Sequence, residues 1–374
     1  MTSGAKRGER GLRPAHRVRA ARLRRLQAIL TQPLVIVEQP HLFWLCGFSG
    51  TSGAACVTQS GAWFVTDPRY EEQARDEVAP EFRLLCRMDR PERIVAGEKI
   101  FAGCPQIAME EETTCIATLK AWGAALSPAT VTPLPSPLMP LRRIKEREEI
   151  AAVRRALALT EEAMAWIAPA VRPGVTEREL AARLEFYCRM KGASGPSFDL
   201  IVASGPNSAR PHGVAGPRKV AVNEPVLFDI GFFVDGYASD FTRVVFCGTR
   251  PPAALLSMHA RVLEAQERGK AAIRAGIPAA GPDEVVRAWF KEERVLGLYG
   301  HSLGHGVGLE IHEAPRLSWK SEEMLEAGML VTVEPGLYRA GRYGIRLEDM
   351  VLVTAQGCEV LTDFPHDLAR IPPV

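Results

Sequence analysis

The most informative pattern of apolar and polar positions runs from Val226 to Val245, VLFDIGFFVDGYASDFTRVV. Its halves, VLFDIGFF and DFTRVVF, are rich in β-branched and aromatic residues and flank Asp235-Gly236, a pair suited to a tight turn, so the pattern predicts an antiparallel hairpin. A two-residue turn sets Asp229 opposite Thr242 and Gly231 opposite Asp240, and strand parity then brings both aspartates to one face on neighbouring rungs. Like charges that close require a cation between them. The plainer alternative makes Asp240 a strand-end residue and Asp229 a local polar exception.

Upstream, from Pro33 to about Pro133, short apolar runs (LVIVE, HLFWLCGF, GAACVT, AWFVT) alternate with helical stretches such as Tyr70 to Val78, which predicts an α/β domain over 33–133. It has no His/Asp/Glu cluster at ligand spacing, and no G-K-[ST] follows Gly47, Gly50 and Gly53 to make a phosphate loop. The Pro-rich run VTPLPSPLMP cannot continue a helix or a central strand and reads as a linker, placed at 134–143. A second domain, 144–374, opens with a charged helix whose Ile150, Val153, Leu157, Met164 and Ile167 share a face. Thr176 and Glu179 then form a capping-box signature ahead of Leu180, Leu184 and Tyr187. The same order recurs from Leu255: a helix to Ile273, Arg274-Ala275-Gly276 echoing Arg172-Pro173-Gly174, a helix from Pro282, and strands bearing Glu334 and Glu348. This echo predicts an α+β domain built from a duplicated helix-helix-hairpin unit, preceded by the smaller α/β domain.

The remaining composition narrows the class. A chain of 374 residues with 47% hydrophobic and 24% charged residues has the make-up of a globular protein of two domains. A net charge of +2 points to neither nucleic acid nor a membrane surface as partner. Eight cysteines, at 46, 56, 86, 104, 115, 188, 247 and 358, form no C-x-x-C pair and read as reduced thiols of a cytoplasmic protein. Residues 1–32 are Arg-rich and almost free of acids; they read as a poorly ordered basic extension ending in a short amphipathic helix through Leu23, Leu26 and Leu30.

The chemistry gathers in the second domain. Glu334 in MLVTVEPGLY and Glu348 in GIRLEDMVLV interrupt runs that otherwise look buried, as Asp229 and Asp240 do. Four buried carboxylates imply protonation or metal. HSLGHGVGLEIHE adds His301, His305 and His312 among glycines that let backbone approach a site. One imidazole with four carboxylates is an oxygen-dominated set suited to two divalent ions such as manganese, cobalt or iron, which acidify a shared water and polarise a carbonyl.

The succession FDIG, SDFTR, HSLGHGVG, TVEPGLY and GIRLED resembles the M24 "pita-bread" metallopeptidases, which include methionine aminopeptidase, aminopeptidase P and prolidase. HLFWLCGFSGTSGAACVT and FVTDPRYEEQA resemble the creatinase-type N-terminal domain of the Xaa-Pro branch. The resemblance implies two divalent ions per chain, most often manganese, with cobalt, iron or zinc as alternatives. Asp229 would bind one, Asp240 and Glu348 would bridge both, and His305 with Glu334 would complete the other, Glu334 also shuttling a proton. It implies that His212, in SGPNSARPHG, and His312 contact the scissile peptide, and that His301, Arg316 and Arg346 bind substrate, Arg316 by clamping the free carboxylate of a dipeptide. The implied activity is hydrolysis of the Xaa-Pro bond in peptides with proline second, or in dipeptides, by a homodimer. The alternative is a creatinase-like amidinohydrolase or a peptide-binding pseudoenzyme on the same fold.

Overall fold

A computed structural model describes residues 14–371; the chain divides into two units, Met1–Arg142 and Arg143–Val374. The first is built on a mixed sheet of β1 (Leu34–Ile36), β2 (Ala54–Val57), β3 (Ala62–Thr66), β4 (Arg83–Cys86), β5 (Gln106–Glu110) and β6 (Thr130–Leu134), in the order β4-β3-β2-β1-β5-β6. Helices α1 (Pro14–Ile29), α2 (Gln39–Cys46), α3 (Glu71–Glu77), α4 (Pro91–Gly97), α5 (Ile116–Ala125) and α6 (Met139–Arg142) accompany it.

Three expectations change here. HLFWLCGF is helix α2 and not a strand: Pro40 fits the first turn, and Gly47 at φ 97 ends the helix, its amide donating to the Leu42 and Phe43 carbonyls. The basic segment is helical from Pro14, and Ala20, Leu23, Leu26 and Leu30 are buried at helical spacing. Arg22 is buried too, donating to the Trp44 carbonyl at 2.7 Å with its guanidinium over the indole. Arg7, Arg10 and Arg13 lie outside the described residues. Lastly, the stretch expected to begin the linker is still strand at Leu134, where β6 tolerates Pro133 because it is an edge strand.

The second unit repeats one plan. Helices α7 (Arg147–Ile167) and α8 (Glu177–Met190) precede β7 (Gly195–Pro196), β8 (Ile201–Ser204), β9 (Glu224–Ile230), β10 (Phe232–Val234), β11 (Tyr237–Ala238) and β12 (Phe241–Cys247). Helices α9 (Ala253–Ala272) and α10 (Ala280–Glu292) precede β13 (Gly304–Gly306), β14 (Glu313–Leu317), β15 (Leu330–Val333), β16 (Gly336–Arg339), β17 (Tyr343–Arg346), β18 (Asp349–Val353), β19 (Cys358–Val360) and β20 (Ala369–Ile371). The principal sheets run β20-β12-β9-β8 and β14-β13-β15-β18-β19.

Thr176 caps α8 by accepting from the Glu179 amide at 3.1 Å, and α7 has a full capping box between Glu146 and Glu149. The hairpin register is the expected one: Asp229 pairs with Thr242, and Phe233 with Ala238 around an Asp235-Gly236 turn in which both residues have positive φ. Both faces of β9 are buried, which is why Val226–Ile230 is apolar but for Asp229. Val226, Phe228 and Ile230 pack with Leu180 and Leu184 of α8, whereas Leu227 packs with Val262 of α9, Val331 and Val351. Asp229 shares the parity of Leu227 and so lies on the side where the two halves meet. An isolated antiparallel bridge, Thr242 with Glu348, joins the sheets there, the Glu348 amide donating to the Thr242 carbonyl at 3.2 Å.

Candidate active site

Strand ends from both halves bring four carboxylates and one imidazole to a single cavity. Asp229 comes from β9, Asp240 from the residue before β12, His305 from β13, Glu334 from the residue after β15 and Glu348 from the residue before β18. All five border a cavity of about 480 Å³. Ligating atoms of Asp240, His305 and Glu348 lie within 4.8 Å of one another. His305 sits between two glycines for a steric reason: a Cβ at Gly304 would meet the Thr332 carbonyl oxygen at 2.0 Å, and one at Gly306 the Ala314 oxygen at 2.4 Å. Only glycine lets β13 lie this close to its neighbours.

The protonation of His305 follows from its contacts. Nδ1 is 3.1 Å from the Gly306 carbonyl, which can only accept, so the ring proton is on Nδ1 and Nε2 keeps its lone pair. That Nε2 lies 3.5 Å from Asp240 Oδ2 and 3.5 Å from Glu334 Oε1. Burial lowers the His305 pKa to about 3, which keeps the ring a neutral donor of electron density.

The carboxylates are strained in the opposite sense. Burial, reinforced by their mutual repulsion, pushes Asp240 and Glu348 well above the usual range, and burial pushes Glu334 up to about 8. Among the described residues, two buried oxygens, Asp229 Oδ1 and Glu348 Oε1, have no hydrogen-bond partner. Buried carboxylate oxygens without donors, mutually repelling acids and an imidazole lone pair together fit a divalent cation. The other carboxylate oxygens are held by protein: Arg346 donates to Asp229 Oδ2, and Thr242 Oγ1 donates to Glu348 Oε2 at 2.7 Å. Behind Glu348, Arg243 donates to its carbonyl at 2.6 Å and to Asp349 at 2.9 Å, and Lys270 donates to Asp349 at 2.9 Å.

The remaining candidates divide. His212, on the loop after β8, and His312, before β14, are exposed at the same cavity, the His312 ring 4.4 Å from that of His305. Arg316, paired in register with His305, also borders it. His301 borders it with its nitrogens engaged: Nδ1 donates to the Ser302 carbonyl at 2.8 Å, so Nε2 accepts from Tyr338 Oη at 2.9 Å. Burial lowers its pKa to about 4. Arg346 also borders the cavity and is held by protein: besides Asp229 it donates to Tyr338 Oη at 2.7 Å, Thr242 Oγ1 at 3.3 Å and the Pro211 carbonyl at 3.3 Å. A guanidinium only 3% exposed needs those acceptors to offset its desolvation.

Sequence reasoning missed Tyr338 and Thr242, which link these groups. Both stand in phrases that were singled out, TVEPGLY and DFTR, and the signal for Thr242 was its place opposite Asp229 in the hairpin.

Comparison with known proteins agrees with this geometry. Residues 151–355 match metallopeptidase family M24, and residues 20–144 match the creatinase/prolidase N-terminal domain. An uncharacterized peptidase of Bacillus subtilis, YqhT, is 35% identical over 90% of this chain and 94% of its own. Among solved structures, an Xaa-Pro dipeptidase from Bacillus anthracis superposes with a TM-score of 0.90 at 35% identity, covering 94% of this chain and 100% of that one. An X-Pro aminopeptidase from Thermotoga maritima superposes with a TM-score of 0.87 at 31% identity, covering 93% and 100%. With its acids and imidazole gathered where two repeated halves meet, the chain is a metallopeptidase and belongs to family M24.

Proposed function

We propose that the protein hydrolyses the bond between an N-terminal residue and a following proline, using two divalent ions. The observation that carries this reading is the convergence of Asp229, Asp240, His305, Glu334 and Glu348 on one cavity, with two of their buried oxygens unpartnered. The Xaa-Pro peptidases among its structural neighbours support the substrate class. Asp229 would hold one ion, Asp240 and Glu348 would bridge the pair, and His305 with Glu334 would hold the other; manganese suits this oxygen-rich set. Bound there, the ions would lower the pKa of a water and polarise the peptide carbonyl.

The protein's own groups do the rest. Glu334, whose Oε1 accepts a 3.4 Å hydrogen bond from Thr332, takes the proton released by the attacking water and returns it to the departing proline nitrogen. His212 and His312, exposed at the cavity, would steady the peptide carbonyl oxygen as charge develops. His301, at the same cavity, would meet the substrate with its ring held by Tyr338 Oη at 2.9 Å.

The test is metal content and turnover together. Protein purified without chelator and given manganese should hold about two ions per chain and cleave Xaa-Pro dipeptides. Asp240→Ala or Glu348→Ala should lose both ions and all activity, whereas His212→Ala should keep the ions and lose turnover. Less than one ion per chain with no Xaa-Pro cleavage would end this reading and favour a metal-free binding protein.

A further inference from the structure

Glu177, the first residue of α8, is fully buried, an unusual place for an acid at a helix start. The ordinary role of such a residue is to complement its own helix dipole. Its carboxylate does something else. Oε1 accepts from the Ser204 amide and hydroxyl, both at 2.7 Å, and Asn207 Nδ2 donates to both oxygens, at 3.2 and 3.0 Å. Oε2 also accepts from the Gly216 amide at 3.2 Å. Every one of these donors lies between Ser204, the last residue of β8, and Gly216, the stretch that carries His212. The loop is tied elsewhere too: the Gly344 amide donates to Ser208 Oγ at 3.0 Å, Arg346 donates to the Pro211 carbonyl at 3.3 Å, Arg218 donates to Ser204 Oγ, and the Arg178 amide of α8 donates to the Gly216 carbonyl at 2.9 Å.

We propose that Glu177 is the positioning residue of the His212 loop, one buried carboxylate pinning both its ends so that an exposed histidine keeps a fixed place at the cavity. This rests on the reading above that His212 meets substrate. Glutamine has the same shape, but its amide turns two donors toward amides that themselves donate, so Glu177→Gln should loosen the loop without emptying the cluster of acids.

The test uses the full chain with manganese. Glu177→Gln should keep the wild-type metal content and lower kcat on the order of ten- to a hundredfold with little change in KM, as a misplaced group does. Hydrogen exchange should quicken at residues 204–216 and stay slow in β9 and the body of α8. Glu177→Gln combined with His212→Ala should be no slower than His212→Ala alone, because a residue acting through His212 has nothing left to position. Losses that multiply, or unchanged exchange at 204–216, overturn the proposal. If His212→Ala runs at the wild-type rate, the substrate role of His212 fails, and the exchange measurement still decides whether Glu177 pins the loop. Should Glu177→Gln not fold, Asn207→Ala removes the two hydrogen bonds from its side chain and carries the same readouts with smaller expected effects.

Discussion

Two arginines border the cavity, and their surroundings separate them. Arg346 is buried with its donors directed at Asp229, Tyr338, Thr242 and the Pro211 carbonyl. Arg316 is exposed, its backbone amide donating to Glu323, and among the described residues its side chain has no hydrogen-bond or ion-pair partner. A free guanidinium beside a peptide site suits a free carboxylate, which it holds with two parallel hydrogen bonds. Arg316→Ala should therefore cost about a hundredfold in kcat/KM on an Xaa-Pro dipeptide, or about 3 kcal/mol, and little on its C-terminal amide or a tripeptide. Equal losses on all three substrates, or none, would return Arg316 to the surface and favour an aminopeptidase. The four candidate acids were legible at this scale because an acid inside an apolar run contradicts its surroundings, and His305 because it stands among glycines and two further histidines. Tyr338 and Thr242 were not: a tyrosine or threonine in a strand is ordinary, and nothing local shows that its hydroxyl is spent on a neighbouring guanidinium or carboxylate.

At the scale of elements, β13 shows how much depends on backbone approach. Gly304→Ala would drive a methyl into the Thr332 carbonyl oxygen, a backbone atom that cannot swing aside, so β13 and β15 must part and His305 moves with them. The substitution should destabilise by about 1–3 kcal/mol and weaken metal binding, read by thermal unfolding and metal titration. Unchanged melting and metal content would show that the strands yield easily. The hairpin was readable in register and turn type because two strand-forming runs flank Asp235-Gly236, and a two-residue turn there fixes which residues face each other. HLFWLCGF was not, since the apolar and aromatic run from Leu42 to Cys46 suits a strand or a buried helix equally; Pro40 before it and Gly47 after it decided the matter.

At the scale of the molecule, the resemblance to Xaa-Pro peptidases implies a homodimer, and light scattering at working concentration should give the mass of two chains; a single-chain mass would remove that expectation. Among the described residues, no helix is long and apolar enough to cross a membrane. The sequence by itself determined the duplicated order of helices and acid-bearing strands, the hairpin register and the identities of the acids, because periodicity and buried charge are local statements. Tertiary structure alone decided that β12 and Glu348 bridge between the sheets, that Arg346 braces Asp229, and that Glu177 reaches the loop of His212. Those contacts join residues distant in the chain. Their energy comes from partners whose meeting no local pattern encodes, and a buried charge has no meaning until the fold supplies its counterpart.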